Sequence, residues 1–140
     1  MGVIRRRCCL GVRDGRRALG VRRGDVVIVS LDPALPAEAS RARPCVLVSN
    51  DGANTMASRL GRGVVTIVPL TSNVARVFNG FEALVSERDE LATMGLGAPS
   101  KAQAAQVRAV SVERVRGTIG RCPARVLDAI DDAIRFHLSL

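Results

Sequence analysis

Three short runs dense in β-branched residues constrain this chain more than anything else. They are Asp25-Val-Val-Ile-Val-Ser-Leu31, Pro44-Cys-Val-Leu-Val-Ser49 and Val64-Val-Thr-Ile-Val-Pro-Leu70. Branching at Cβ stiffens the side chain and suits a pleated, packed surface. Turn residues close the first two runs, Asp32-Pro33 and Asn50-Asp51-Gly52. The runs therefore predict buried strands. Pro44 fits a strand start, where no ladder donor is lost. Further strands are expected at Phe81–Val85, Ala102–Val110 and Val115–Ile119, with Ser111–Arg114 as a turn. Residues 33–43 and 86–100 read as loops, and 53–63 as a connection with room for one helical turn. Cys122-Pro123 opens a helix with proline at its first position. Pro123, Leu127, Ile130, Ile134 and Leu138 recur at steps of three and four, giving one apolar stripe. Asp128, Asp131 and Asp132 lie largely off it. The expected fold class is α+β, mainly β: a small barrel capped by a C-terminal amphipathic helix.

The charge balance narrows the partner. In 140 residues Lys+Arg number 21 against 13 Asp+Glu, a net +8, and Lys101 is the only lysine. Such an excess points to a polyanion: nucleic acid, an acidic protein or an anionic surface. It is unevenly placed. Before Gly24 there are eight arginines and only Asp14 against them, a balance of +7; the rest of the chain carries +1. Residues 1–21, glycine-rich and without periodicity, are expected to be a basic, mobile extension. Residues 22–140 form the folded domain.

Several classes drop out. No run approaches the roughly 20 apolar residues of a membrane span, and the apolar stretch after Arg7 ends at Arg13, short for a signal peptide. Four sparse cysteines, two of them adjacent, read as reduced cytosolic thiols. There is no Cys-x-x-Cys and one histidine, His137, so no metal site is expected. Cys45 sits inside a strand and Cys122 at a helix start, which leaves neither with a base. His137 is read as structural. One stretch is unusual for a plain loop. Glu38, Arg41 and Arg43 cluster before a strand, and Thr71-Ser72 directly follow another. Strand ends are where such folds build sites, and the planar guanidinium suits a phosphate.

At these residues the chain closely resembles the MazF/PemK family of toxins. Arg23-Gly-Asp-Val26, Leu31-Asp-Pro33, Glu38, Arg43-Pro44 and Val48-Ser-Asn-Asp51 follow the family's order and spacing. Val68-Pro-Leu-Thr-Ser72, Gln106-Val-Arg108, Arg114 and the helix from Pro123 to Leu138 complete the likeness, which covers about residues 22–140. The family often has Gly-Ser where this chain has Pro36-Ala37, and aromatics where it has Val27 and Ile28. With three phenylalanines and no Tyr or Trp, base stacking is scarce, and RNA contact must lean on arginines and backbone.

The resemblance implies an SH3-like barrel and a homodimeric, cytoplasmic toxin of a type II toxin–antitoxin pair. It implies a metal-independent, sequence-specific endoribonuclease without cofactors, cutting single-stranded RNA by attack of the 2′-hydroxyl to leave a 2′,3′-cyclic phosphate and a 5′-hydroxyl. The neutralising partner would be a small acidic antitoxin, and operator DNA would be met only through it. Carried over by position, Arg43 and Thr71 are the catalytic pair and Glu38 a loop acid tied to activity. Arg41, Ser72 and Arg76 are the expected RNA contacts. A second reading is a non-enzymatic toxin on the same scaffold that binds and inhibits DNA gyrase; the Arg43 and Thr71 pair separates the two. A chain beginning near Val21 is expected to keep the cleavage pattern and lose mainly salt-sensitive RNA affinity. If mapped 5′ ends show a different cut sequence after trimming, the extension belongs to the site.

Overall fold

A computed structural model describes residues 20–39 and 41–140; of the expected basic extension only Gly20 and Val21 fall among them. The strands are β1 (Asp25–Ser30), β2 (Ala42–Leu47), β3 (Val64–Thr71), β4 (Glu82–Val85), β5 (Ser100–Gln103), β6 (Arg108–Ser111) and β7 (Val115–Arg121). The helices are α1 (Asp51–Leu60), α2 (Arg88–Met94) and α3 (Ala124–Leu138). All ladders are antiparallel. The strand order is β4-β5-β3-β2-β1-β7, with β6 also on β3. Among the described residues no ladder joins β7 to β4, so the sheet stays open and the barrel is incomplete.

Both faces of the sheet are buried, which is why its strands read as unbroken apolar runs. Val27 and Val29 of β1, Cys45 and Leu47 of β2, and Val65 and Ile67 of β3 pack on one side, with Val110, Val112 and Ala57. Val26, Val46, Val68 and Leu70 alternate to the other side, under Met94 of α2 and Val126 and Ile130 of α3. The period of two thus fills two cores from one set of strands. Val21 belongs to the first core and is 3% exposed.

Several expectations change in detail. The expected turn and connection after β2 contain a ten-residue helix, α1. Asn50 caps it by accepting from the Ala53 N–H, and Gly61, at φ 66°, ends it by donating to the Ala57 carbonyl. Only Asn54 and Ala57 of α1 are buried, so it lacks the wide apolar stripe by which helices are read. The expected 86–100 loop contains the seven-residue α2, ended by Gly95 at φ 75°. The expected strand over Ala102–Val110 is two strands, β5 and β6, parted by a single 3-10 turn at Ala104–Gln106. In α3, Pro123 is the N-cap rather than the first helical residue. The buried line is Val126, Ile130 and Ala133, flanked by Leu127 and Ile134, while Leu138 is half exposed.

The prolines of β2 and β3 sit where the ladders are interrupted. Leu31 N–H donates to the Arg41 carbonyl and Val48 N–H to the Thr66 carbonyl. Odd-numbered residues of β2 therefore bond toward β1 and even-numbered ones toward β3. Pro44, the third strand residue rather than the first, turns its nitrogen toward β3, but the β2–β3 ladder begins only at Cys45 opposite Pro69. Pro69 turns its nitrogen toward β5 and β6, where two β3 residues face five between the pairs Leu70–Ala102 and Ile67–Arg108. Neither proline withdraws a donor that a partner was waiting for.

The Arg23-Gly-Asp25 stretch is a structural hub. The Arg23 guanidinium bonds the Val48 carbonyl and both carboxylate oxygens of Asp131 on α3, and its backbone N–H donates to Asp51 at 2.7 Å. That backbone bond holds the Asp51 carboxyl below its ordinary range. Asp25 accepts from the Arg22 N–H and from Arg121, both at 2.8 Å.

Helix α2 lies against β7 without space for side chains. A Cβ at Gly120 would fall 2.3 Å from the Met94 carbonyl carbon, and one at Gly95 2.2 Å from the Ile119 oxygen. Gly120→Ala is expected to destabilise the fold by about 1–3 kcal/mol through overpacking, measured by urea unfolding. Gly117→Ala, with nothing within 4 Å, is the control and is expected to be near neutral.

Candidate active site

Register places the two central residues side by side. The β2–β3 ladder pairs Leu47 with Ile67, Val46 with Val68 and Cys45 with Pro69. Continued by two residues it sets Arg43 opposite Thr71, on one face of the sheet. Directly opposed positions lie about 4.5–5.5 Å apart at Cβ within a ladder. Here the ladder has ended, and a cleft of about 390 Å³ lies against both strand ends. Arg41, Arg43, Thr71 and Ser72 line it, facing Leu96, Ala98 and Ser100. No carboxylate is in that lining. Two guanidinium groups and three hydroxyls around an acid-free hollow make an anion site by charge and by donor count.

Each wall has its own support. Arg43 is half-buried on β2, opposite Val29 of β1. Thr71 ends β3; its Oγ1 accepts from the Asn73 N–H at 3.2 Å, which turns the chain into the loop carrying Ser72. The Leu96–Ala98 wall follows α2, whose Glu90 is gripped by Arg125 of α3; that bond holds the Glu90 carboxyl below its ordinary range.

The loop between β1 and β2 presents Arg41 and is tied by five hydrogen bonds. Asp32 accepts from the Arg41 N–H at 2.9 Å, and the Arg41 carbonyl accepts from Leu31 at 3.0 Å. These hold Arg41 at φ 65°, a left-handed conformation costly for a residue with a Cβ. Arg114 donates to the Ser30 and Asp32 carbonyls at 3.0 and 2.6 Å. Gln106 accepts from the Ala39 N–H. Asp32, Gln106 and Arg114 thus position the loop. Gln106 and Arg114 were visible in the sequence as parts of the resemblance, but their hold on this loop was not.

Two expected site residues lie apart from the cleft lining. The exposed Glu38 uses its carboxylate on its own loop, accepting from the Leu35 N–H at 3.1 Å. Arg76 is exposed on the loop after Thr71, with its guanidinium 5.8 Å from the Phe78 ring centre. The thiols are unsuited to attack. Burial pushes Cys45 up to about 12, against the opposing pull of Arg43 and Arg108, and burial likewise pushes Cys122 to about 12. His137 is exposed at the end of α3, edge-on to Phe81. Among the described residues no three His, Cys, Asp or Glu side chains gather to hold a metal ion. None of the described helices is long and apolar enough to cross a membrane. A groove of about 360 Å³ beside α3 also contains an arginine, Arg23, but Asp131 already neutralises it.

The pattern of the PemK-like, MazF-like toxins of type II toxin–antitoxin systems matches residues 22–138. A Mycobacterium tuberculosis (strain ATCC 25618 / H37Rv) protein named Endoribonuclease MazF9 is 48% identical over 120 residues, 86% of this chain and 98% of its own. A crystal structure of MazF (Form-I) from Deinococcus radiodurans superposes with a TM-score of 0.67 at 20% identity, over 86% of this chain and 97% of that one. An endoribonuclease from a mycobacterial species, solved in complex with its cognate antitoxin, gives 0.63 at 19% identity, over 86% and 96%. At these identities the structural likeness shows the fold.

Arg114→Ala is expected to cost about 1–3 kcal/mol, since it strips two carbonyls of a charged donor. It is also expected to raise amide exchange across residues 32–39. Unchanged exchange there would show that the loop does not depend on Arg114.

Proposed function

The chain belongs to the PemK-like, MazF-like toxins of type II toxin–antitoxin systems, and from that premise we propose that it is the endoribonuclease of such a pair, cutting single-stranded RNA in the cleft between β2 and β3. One observation carries the proposal: Arg43 and Thr71 stand opposite each other where the ladder opens, in an acid-free lining.

RNA supplies its own nucleophile. The 2′-hydroxyl oxygen attacks the adjacent phosphorus, its proton leaves, and the bond to the 5′-oxygen breaks as that oxygen takes up a proton. The products are a 2′,3′-cyclic phosphate and a free 5′-hydroxyl. The protein must hold the phosphate and spread the charge that builds on its equatorial oxygens. Arg43 does this from the strand end; a guanidinium keeps its proton, so its role is charge and geometry rather than base catalysis. Thr71 donates its hydroxyl to a phosphate oxygen while its own oxygen accepts from Asn73. Arg41 and Ser72 grip the flanking backbone, and Arg76 extends the track along the loop. Glu38 shapes the loop that delivers Arg41. The active species is a cytoplasmic homodimer, neutralised by a small acidic antitoxin whose charge answers the arginine-lined cleft. Operator DNA is met only through that antitoxin.

The test is purified protein with a long single-stranded RNA in EDTA. Wild type is expected to release fragments ending in a cyclic phosphate, and Arg43→Ala to be about 10²–10³-fold slower. Intact RNA with wild type, or equal cutting by Arg43→Ala, would sink the proposal. A supercoiling assay run beside it reads the gyrase alternative.

A further inference from the structure

Lys101, the chain's only lysine, is buried, 8% exposed, on β5. It pairs with Thr71 on β3, so Arg43, Thr71 and Lys101 occupy one row across three strands. Its ammonium does not reach into the cleft lining. Nζ donates to the Arg76 carbonyl and to Glu82 Oε1, the latter at 3.0 Å. The same Glu82 oxygen accepts from the Phe78 N–H at 2.9 Å, and the Glu82 N–H donates to the Phe78 carbonyl at 3.0 Å. The Phe78 ring centre is 6.0 Å from Nζ. A buried pair on β4 and β5 therefore holds the backbone of loop 72–81 at two points. That loop begins with Ser72 in the cleft wall and carries Arg76.

Stability alone does not account for this arrangement. A buried ion pair gains little over well-packed apolar side chains, because both ions must be desolvated. What apolar residues cannot supply is a donor and an acceptor aimed at the backbone of a loop. We propose that Lys101 and Glu82 are positioning residues, fixing loop 72–81 so that Arg76 and Ser72 meet the phosphates of the RNA beside the scissile bond. This rests on the reading of the cleft as the RNA site and adds to it a determinant of substrate hold that lies beneath the surface.

The experiment uses the full chain, a short RNA that the wild type cuts, and the same oligonucleotide with a 2′-deoxy sugar at the cut. KM and kcat come from the first, and affinity against salt from the second. Each phosphate contact on a single strand contributes about 0.7 to the slope of log affinity against log salt. Arg76→Ala is expected to lower the slope by about that amount. Lys101→Met is expected to lower it equally, although Lys101 exposes almost no charge, and to raise KM more than it lowers kcat. The double variant is expected to be no worse than Lys101→Met alone, since Arg76 makes its contact only when the loop is held. Lys101→Arg is expected to retain most of the affinity. Glu82→Gln keeps an acceptor for Phe78 and gives a milder version of the same change if Lys101→Met does not fold. A lowered Tm with wild-type slope and KM, or additive effects in the double variant, overturns the inference. Wild type that cuts no RNA fails the proposed function instead, so the two failures are distinguishable.

Discussion

The register between β2 and β3 is the constraint on which the rest depends. Side chains alternate along a strand, so a slip of one residue would send Arg43 and Thr71 to opposite faces and invert both cores at once. The same three pairs, Cys45–Pro69, Val46–Val68 and Leu47–Ile67, define the split of apolar residues between the two cores and the juxtaposition at the cleft. Packing energy and the geometry of the cleft are thereby tied to one alignment. A register error that spoiled the site would also expose valines and leucines on both sides, which makes it energetically prohibitive rather than merely inactive.

Around this alignment arginines serve both the scaffold and the cleft. The guanidinium groups of Arg23, Arg114, Arg121 and Arg125 bond carboxylates or carbonyls that brace the sheet, seat the helices and tie the β1–β2 loop. Arg41 and Arg43 line the open hollow. Net charge therefore says little about the site. Arg23, one of the eight arginines before Gly24, is matched by Asp131. What makes the cleft attract an anion is the local exclusion of acids from its lining, an arrangement of a few side chains in a nearly neutral domain.

The strands and the terminal helix were legible in the sequence because β-branched runs and a helical stripe are strong local signals. Helix α1 was not, since Asn50-Asp51-Gly52 serves equally as a turn and as a cap, and only two of the ten residues that follow the cap are buried. Helix α2 was hidden by its length of seven residues among glycines and a proline. The break between β5 and β6 depends on a three-residue excess opposite Val68 and Pro69 that no local pattern encodes. Arg43 and Thr71 stood out by resemblance. Their adjacency did not, because it follows from pairing two strands 28 positions apart. The burial of Lys101 was not legible either: a lone lysine among alanines and glutamines carries no local sign of burial, which comes from the loop folded over it.

A gap between two strands is ordinarily a place where a third polypeptide strand can insert, completing the broken ladder with its own amides. Pro44 stands at the mouth of this gap with no N–H to offer. A peptide entering there would find its first carbonyl unmatched on the β2 side, whereas a sugar–phosphate chain, which brings acceptors for guanidinium and hydroxyl donors, has no need of a backbone amide. The same proline that lets the ladder end without an orphaned donor thus disfavours strand exchange with other proteins at this opening.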